Sequence, residues 1–302
     1  MKKILILGAN SYIGTSFHKY VKREYPEQYD VDVVSLRGDD WKLNDWSDYD
    51  SVINVTGKAH ADISTLTEEQ KREYYSVNCN LACEAAKKAI ADGTKQYIYF
   101  SSIIVYGDSS NNGTTMHITG QSQPNPTNFY GDSKWQAEQQ LTKLFDTVEM
   151  EKTKLVILRP PMIYGKDSKG NFKTLVKLAE KIPVFPTYHN ERSMLYIENL
   201  AECLKILIEE NREGVFLPQN ERYVSTAEMV REIACVKGRK IYRGGWLNPL
   251  LRITFCFPGK LGNMVRKAFG SMTIENSLSN KVEGYQRYGA RKGRGNLKMF
   301  KT

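Results

Sequence analysis

The chain has 302 residues, of which 41% are apolar and 25% are charged, with a formal net charge of +9. This ordinary globular composition excludes an extensively disordered chain, and no apolar stretch approaches the roughly 18 residues of a membrane span. The charge is concentrated in one segment, because residues 239–302 carry fourteen Lys and Arg against two Glu.

Short apolar runs alternate with longer segments of helical spacing. The runs predict buried strands at residues 2–7, 31–36, 51–55, 96–102 and 154–159. The longer segments predict helices that include residues 68–91 and 132–147. Strands that alternate with helices in this way predict an α/β fold, a Rossmann-type doubly wound parallel sheet.

After about residue 165 the pattern loosens and proline becomes frequent. We therefore predict an NAD(P)-binding Rossmann domain over residues 1–165. A smaller C-terminal substrate-binding lobe is predicted over residues 166–302, and it includes the basic segment. We expect the two lobes to be interleaved.

The first motif is GANSYIG, residues 8–14, between the first predicted strand and a helix expected from about Tyr12. A helix N-terminus in this position offers unpaired N–H groups to a pyrophosphate. Ser11 stands where a middle glycine would let the backbone approach, and its hydroxyl is able to donate to a phosphate oxygen. The predicted cofactor contacts are Gly8, Asn10, Ser11, Tyr12, Ile13 and Gly14. The alternative is a plain strand–turn–helix corner.

The second predicted strand ends in SLRGDD. Arg37 stands near the place where NAD enzymes usually carry an acidic residue for the ribose hydroxyls. A guanidinium favours the 2′-phosphate of NADP, so we expect NADP in preference to NAD. NAD remains the alternative cofactor, because Asp39 and Asp40 follow closely and an acidic residue here is able to bind the ribose hydroxyls.

Tyr130 and Lys134 lie four residues apart in NFYGDSKWQAEQQL, on one face of a predicted helix. An ammonium near the phenol is expected to lower the tyrosine pKa below its free value of about 10. Ser101 and Ser102 end the fourth predicted strand, where a hydroxyl can bond a substrate carbonyl while Tyr130 delivers a proton. The alternatives are strand-end capping for the serines and a surface tyrosine beside a solvated lysine for the pair.

These motifs, with VINVTGKAH, RPPMIYG, KGNF and RSMLYIENLAE in order, resemble the extended short-chain dehydrogenase/reductase family of NAD-dependent epimerases and dehydratases. The resemblance covers nearly the whole chain. It implies that Ser102, rather than Ser101, is the catalytic hydroxyl and that Tyr130 is the acid–base. It also implies that Lys134 holds the nicotinamide ribose and tunes the tyrosine.

The resemblance implies further contacts. For the cofactor these are Asn54, Thr56, Gly57, Asn78, Ser101, Pro160 and Ile163, together with Tyr130 and Lys134. For the substrate they are Lys58, His60, Ser102, Ile103, Tyr130, Asn171 and Arg192. Two of these residues have alternatives, since Arg192 is able to pair with Glu191 or Glu198, and Asn171 to cap a helix that begins near Phe172.

The resemblance implies that sugar 4,6-dehydratases carry an Asp-Glu pair directly after the catalytic serine. This chain has Ile103 and Ile104 there, and because aliphatic side chains cannot transfer protons, water elimination is disfavoured. The remaining choice lies between 4-keto reduction with NADPH and 4-epimerisation with a retained NAD, and Arg37 favours reduction. The nearest resemblance is to bacterial capsule and O-antigen enzymes, which implies reduction of a UDP-4-keto-6-deoxy-N-acetylhexosamine. A UDP-hexose or UDP-N-acetylhexosamine 4-epimerase is the alternative. A non-catalytic dinucleotide sensor or scaffold is an alternative of another class, but it predicts that catalytic residues are replaced, whereas Ser102, Tyr130 and Lys134 are all present. A nucleic-acid-binding module is the least favoured interpretation.

The basic C-terminal segment predicts either attraction to an anionic membrane or phosphate-bearing ligand, or a solvated basic face. Within it, residues 246–257 have apolar bulk, but Pro249 and Arg252 interrupt them, so we expect them to pack into the substrate lobe. From the resemblance we expect a homodimer through the helices at 68–91 and 132–147.

The cysteines are odd in number and form no CxxC pair, so we expect no disulfide framework and no zinc site. Free cysteines suit a reducing cytoplasm. They are Cys79, Cys83, Cys203, Cys235 and Cys256. The histidines lack metal-ligand spacing, so we predict no metal. We expect a cytoplasmic enzyme, at the inner face of the membrane if the basic segment binds lipid, that acts on a UDP-sugar and does not bind nucleic acid.

Overall fold

The computed structural model describes residues 1–58, 66–108, 115–147, 153–168, 170–257 and 259–288. Its strands are β1 (Lys2–Leu7), β2 (Tyr29–Val34), β3 (Ser51–Asn54), β4 (Gln96–Phe100), β5 (Met116–Ile118), β6 (Lys154–Leu158), β7 (Met162–Tyr164), β8 (Val184–Phe185), β9 (Met194–Tyr196), β10 (Gly214–Phe216), β11 (Tyr242–Arg243) and β12 (Met272–Ile274). Six of them form one parallel sheet in the order β10-β6-β4-β3-β1-β2. The predicted Rossmann-type fold is confirmed.

The α-helices are α1 (Tyr12–Glu24), α2 (Glu68–Tyr75), α3 (Leu81–Ala91), α4 (Phe129–Asp146), α5 (Asn171–Lys181), α6 (Ile197–Glu209), α7 (Thr226–Val236), α8 (Asn248–Phe255), α9 (Lys260–Phe269) and α10 (Asn276–Ser279). A π-helical turn, Ser76–Asn80, joins α2 to α3, and a 3₁₀ turn, Ile103–Tyr106, follows β4. Among the described residues, no helix combines the length and the apolar character needed to cross a bilayer.

The sheet is buried on both faces because its strands alternate their apolar side chains between two layers of helices. On one face Ile4 and Ile6 join a core cluster that contains Phe17 of α1 and Leu200 of α6. On the other face Leu5 and Leu7 pack in a cluster with residues of α3 and α4. The carboxyl ends of β1, β3 and β4 therefore meet at one edge of the sheet, where ligands of doubly wound folds bind.

The sixth strand of the sheet, β10, lies after residue 165 and pairs with β6. Helix α6, also from the second half of the chain, packs against α1. The remaining strands form three small parallel pairs, β5 with β12, β7 with β9 and β8 with β11. The division into domains at residue 165 stays a prediction.

The prediction that residues 246–257 pack into the substrate lobe holds for one face only. Leu251 is buried, and the ring of Phe255 lies 5.3 Å from that of Tyr188. The opposite face is exposed to solvent, and it carries Trp246, Leu250, Ile253 and Phe257.

Candidate active site

Two glycines bring the N-terminus of α1 onto the end of β1. Gly8 follows the strand with φ +126°, a conformation that disfavours any residue with a side chain. Gly14 lies in the first turn of α1, where a Cβ atom would stand 2.7 Å from a methyl group of Ile6. The turn therefore presents the first N–H groups of α1, which have no intrahelical partner, at the edge of the sheet. This cradle fits a dinucleotide pyrophosphate.

Ser11 is the N-cap of α1, in extended conformation with φ −71° and ψ 132°. Its hydroxyl oxygen accepts from the Gly14 N–H at 3.4 Å. A serine hydroxyl that accepts one bond still has its own proton to donate. Ser11 is thus able to hold the helix end and to donate to an anion. Of the neighbours predicted as contacts, Asn10 is exposed, while Tyr12 and Ile13 pack against the core.

Arg37 lies three residues beyond β2 and is exposed. Its backbone N–H donates to the Ser35 hydroxyl at 3.2 Å, which shapes the turn. Asp39, the competing ribose ligand, pairs with Lys42 at 2.8 Å. The basic group near the end of β2 therefore faces solvent, whereas this acidic neighbour already has a cationic partner.

The segment after β3 is braced by its own side chains. Asn54 donates to the Tyr97 hydroxyl at 2.7 Å and accepts from the Thr56 N–H at 2.9 Å. The Thr56 hydroxyl donates to the Leu7 carbonyl at 3.0 Å, which ties this segment to the end of β1. At Gly57 a Cβ atom would stand 3.2 Å from the Lys134 ammonium nitrogen. The amide of Asn54 holds the turn, and Gly57 lets the chain pass beside Lys134.

Asn78 is fully buried in the π-helical turn, a feature found frequently at functional sites. Its carbonyl oxygen accepts from the Lys58 N–H at 2.7 Å, and its amide donates to the Ser133 hydroxyl at 3.0 Å. Asn78 thus links the segment after β3 to α4. The Lys58 ammonium bonds Glu73 and stands 5.6 Å from the centre of the Tyr74 ring. His60 lies outside the described residues.

The start of α4 is fixed against the 3₁₀ turn that follows β4. Asn128 caps the helix, because its side-chain oxygen accepts from the Gly131 N–H at 2.9 Å. A Cβ atom at Gly131 would stand 2.8 Å from the Ile104 carbonyl oxygen. Glycine at this position lets the two segments touch. The contact brings Tyr130 near Ser102, whose hydroxyl oxygen accepts from the Ile104 N–H at 3.3 Å.

Burial raises the pKa of Tyr130 to about 12, and the neighbouring Tyr74 adds to the shift, while the nearby Ser102 hydroxyl opposes it. The expectation that Lys134 lowers this pKa below 10 is therefore wrong for the free chain. The cost of burying a phenolate exceeds the effect of its neighbours. The phenol consequently holds its proton at neutral pH.

Lys134 directs its ammonium to the end of β4, where it donates to the Phe100 carbonyl at 2.8 Å. It also stands 4.8 Å from the centre of the Tyr99 ring. Burial lowers the pKa of Lys134 to about 8, against an opposing effect of Glu138. The lysine is thus held beside Gly57, one helical turn after Tyr130, and its predicted role stays a prediction.

Ser101 and Ser102 have different surroundings. Ser101 is buried and donates its hydroxyl proton to Glu138. Glu138 forms an ion pair with Arg159 at 2.5 Å, and Arg159 donates to the Tyr106 hydroxyl at 2.6 Å. Ser102 is half-buried and lies near Tyr130, and its catalytic role stays a prediction. The Ser101 hydroxyl already has a partner inside the protein, and its contact with a cofactor stays a prediction.

Our sequence reasoning missed the buried Glu138–Arg159 pair. Two signals were present: an arginine directly after the apolar run KLVIL, and a glutamate one helical turn after Lys134. Charged residues that are almost fully buried are usually paired. Here the pair links Ser101 at the end of β4 to Tyr106 in the 3₁₀ turn.

The loop that contains Pro160 and Ile163 lies beside this turn. The Pro160 carbonyl accepts from the Ile103 N–H at 3.2 Å. Ile163 is in β7, where it pairs with Leu195 of β9. Ile103 is buried and Ile104 half-buried, so neither offers a proton-transfer group next to Ser102.

The two residues predicted to grip the substrate diphosphate lie in the second half of the chain. Arg192 donates to the backbone carbonyls of Lys267 and Gly270. Its alternative partner Glu198 instead pairs with Arg23 at 2.7 Å. Helix α5 begins at Asn171 itself, after Gly170 at φ +73°, so the alternative that Asn171 is the cap is wrong.

The chain is similar to one protein family and to two named relatives. The family model described as RmlD substrate binding domain matches residues 1–242. A UDP-glucose 4-epimerase of Vibrio cholerae is 29% identical, over 94% of this chain and 90% of the relative. An N-acetyl-alpha-D-glucosaminyl-diphospho-ditrans,octacis-undecaprenol 4-epimerase of Escherichia coli O157:H7 is 28% identical, over 67% of this chain and 62% of the relative.

Two solved structures represent the similar folds. A dTDP-4-dehydrorhamnose reductase of Bacillus anthracis in complex with NADP has a TM-score of 0.61 at 20% identity, covering 89% of this chain and 99% of its own. A UDP-glucuronic acid 4-epimerase of Bacillus cereus in complex with NAD has a TM-score of 0.68 at 15% identity, covering 98% and 96%. At these identities the likeness shows the fold.

Proposed function

Because the chain belongs to the RmlD substrate-binding-domain family of extended short-chain dehydrogenases/reductases, we propose that it transfers hydride at C4 of a nucleotide sugar. The reaction we favour is reduction of a UDP-4-keto-6-deoxy-N-acetylhexosamine for a surface polysaccharide. One observation carries this proposal: Tyr130, at the start of α4, is close enough to Ser102 after β4 for the serine to affect the tyrosine pKa, and Lys134 follows one turn further along α4.

Each residue of this triad has a distinct task. Ser102 donates a hydrogen bond to the C4 carbonyl oxygen, which orients and polarises it. Tyr130 delivers its proton to that oxygen as the alcohol forms. Lys134 supplies a fixed positive charge beside the tyrosine, which favours the phenolate left after proton transfer. A nicotinamide dinucleotide, when bound, supplies the hydride.

Chain residues that fit the dinucleotide are present at three strand ends. The turn from Gly8 to Gly14 fits the pyrophosphate, and Gly57 and Lys134 fit the nicotinamide ribose. We propose NADP as the preferred form because Arg37 is exposed near the end of β2, where a guanidinium matches a 2′-phosphate. Asp39 is paired with Lys42, which weakens the case for a ribose contact to NAD.

The protonation state of Tyr130 favours reduction over epimerisation. Reduction begins with a proton on the tyrosine, whereas epimerisation of an alcohol begins by removing a proton from the sugar. Burial raises the pKa of Tyr130 to about 12, so the free chain starts in the state that reduction uses. Dehydration has less support, because Ile103 and Ile104 carry no acid or base.

A 4-epimerase that retains NAD is the second candidate, and the names of two relatives favour it. Both the Vibrio cholerae and the Escherichia coli proteins are 4-epimerases. A non-catalytic sensor or scaffold has less support, because it predicts an altered triad, whereas Ser102, Tyr130 and Lys134 are all present.

For the substrate we propose that Arg192 and Asn171 contact the UDP diphosphate, with Lys58, His60 and Ile103 nearer the sugar. Arg192 has five N–H donors, so bonds from one nitrogen to two backbone carbonyls leave donors for a phosphate. We also propose a cytoplasmic homodimer that pairs through α2, α3 and α4. The five unpaired cysteines support a reducing compartment.

The experiment is to follow absorbance of the reduced nicotinamide with purified protein and UDP-4-keto-6-deoxy-N-acetylhexosamine, with NADPH and NADH in parallel. Consumption of added NADPH, one equivalent per sugar, supports the reductase. Interconversion of UDP-hexoses with no consumption, and a nicotinamide already bound to the purified protein, supports the epimerase and NAD. If neither occurs, the scaffold becomes the better account.

A further inference from the structure

A stripe of apolar side chains is exposed on α8 and on the residues that flank it. The stripe consists of Trp246, Leu250, Ile253 and Phe257, spaced by four, three and four residues. This spacing puts Leu250 and Ile253 on one face of α8, while Trp246 lies in the 3₁₀ turn before the helix and Phe257 just after its end. They are 74%, 59%, 57% and 50% exposed, respectively. Contiguous apolar side chains of this bulk on a surface indicate an interaction site.

The protein holds the stripe in place from behind. Leu251 and Phe255 lie on the opposite face of α8 and pack into the core. The Arg266 guanidinium donates to the backbone carbonyls of Phe255 and Phe257 at the end of the helix. The exposed face therefore belongs to a helix that is fixed on its other side.

The segment that carries the stripe is strongly cationic. Between Arg239 and Ile274 the sequence has seven Lys and Arg and no Asp or Glu. Four of the cations are exposed on or just before α8, namely Arg239, Lys240, Arg243 and Arg252. Two acidic groups of other elements have partners, since Glu180 pairs with Lys237 at 2.7 Å and Asp108 with Lys267 at 3.4 Å. The segment thus combines an exposed apolar stripe with an excess of positive charge.

We propose that this face of α8 docks on an anionic lipid bilayer. Apolar side chains of an interfacial helix enter the boundary between headgroups and acyl chains, while Lys and Arg bind anionic headgroups. Trp246 suits this boundary because its ring is apolar and its N–H is able to bond headgroup oxygens. The inference goes beyond the proposed function and does not depend on which sugar is reduced.

A second copy of the chain is the poorer occupant. Pairing this face with itself would bring two sets of cations together, and like charges across an interface oppose association. Anionic lipid supplies the opposite charge. The dimer proposed above uses α2, α3 and α4, which leaves α8 available to the bilayer.

The test is binding of the full chain to vesicles of phosphatidylcholine alone and of phosphatidylcholine with phosphatidylglycerol, measured by flotation and tryptophan fluorescence. We expect binding to the anionic vesicles, with a blue shift that Trp246→Phe abolishes. Leu250→Ser with Ile253→Ser should weaken binding at least about tenfold, because two apolar side chains no longer enter the bilayer. Leu43→Ser is the matched control, since Leu43 is 87% exposed on a distant segment.

Charge is tested separately with Arg243→Gln and Arg252→Gln, each expected to weaken binding about fivefold. Lys22→Gln, at an exposed position of α1, likewise removes one charge and is the matched control, which should change binding little. No binding of the wild-type chain to anionic vesicles overturns the proposal, as does equal binding of the Leu250→Ser, Ile253→Ser protein. A change of oligomeric state in that variant, without vesicle binding by the wild type, would identify a self-association surface instead. Turnover in solution is measured in parallel, so that failure of the proposed function can be distinguished from failure of membrane docking.

Discussion

Lys134 donates a hydrogen bond of 2.8 Å to the carbonyl oxygen of Phe100, the last residue of β4. This bond fixes the ammonium at the end of the sheet, beside the tyrosine one helical turn before it. Burial lowers the pKa of Lys134 to about 8 and raises that of Tyr130 to about 12. Within the working range of pH, the lysine is therefore the member of the pair that changes charge.

We predict that kcat/KM for the dinucleotide falls above about pH 8, because Lys134 loses its positive charge there. One deprotonation lowers the rate about tenfold per pH unit beyond the pKa. The measurement is kcat/KM from pH 6 to 10. Lys134→Arg should move the decline beyond this range, since arginine stays charged. If the decline stays near pH 8 in that variant, another group is responsible.

Gly131→Ala should lower kcat about 10- to 100-fold. The new Cβ would stand 2.8 Å from the Ile104 carbonyl oxygen, so the start of α4 must move away from the turn that carries Ser102. Displacement of a catalytic group by about 1 Å is enough for a loss of this size. The matched control is Gly120→Ala, whose Cβ meets only Leu278 at 3.9 Å. Steady-state rates of both variants check the prediction, and equal activity would contradict it.

The candidate triad could be proposed from sequence because the position of each residue depends on the element that carries it. Tyr130 and Lys134 share one helix, and Ser102 follows an apolar run, so spacing alone brought them to one edge of the sheet. The same holds for Gly8 and Gly14. The strand predicted at 31–36 is found at Tyr29–Val34, because an edge strand with exposed residues carries a weaker apolar signal.

The contacts that depend on tertiary packing could not be predicted. The sequence shows a charged residue at Glu138 and at Arg159, but it does not show that they pair or that Ser101 bonds Glu138, because the partners come from distant parts of the chain. The raised pKa of Tyr130 depends on burial by distant segments. The exposed stripe on α8 is a related example. The apolar residues 246–257 were predicted to be packed, but only one face of the helix is buried.

Glu138→Gln should lower the free energy of unfolding by about 3 kcal/mol, because it leaves the buried Arg159 guanidinium without its counter-charge. Urea denaturation gives the value. The control is Lys95→Gln, which breaks the Lys95–Asp50 pair, where Lys95 is 70% exposed. That loss should stay within about 1 kcal/mol. Equal effects of the two variants would show that the buried pair is not a special stabilising feature.

Arg37→Ala should lower kcat/KM for NADPH about 10- to 100-fold and leave that for NADH nearly unchanged, because a charge-assisted bond to phosphate is lost. Asp39→Asn serves as the control and should leave the NADPH value unchanged. The ratio of the two specificity constants is the measurement. If Asp39→Asn weakens NADH and Arg37→Ala affects neither coenzyme, the preference is for NAD.

The most direct measurement uses NADPH with deuterium at the transferable position of the nicotinamide and the UDP-4-keto-6-deoxy-N-acetylhexosamine substrate. We predict a product that carries one deuterium at sugar C4. Tyr130→Phe should form it about 10²- to 10⁴-fold more slowly while still binding the dinucleotide. Tyr74→Phe, which removes a hydroxyl from the neighbouring ring, should retain activity. Unlabelled product, or a Tyr130→Phe enzyme as fast as the wild type, would contradict hydride transfer assisted by Tyr130.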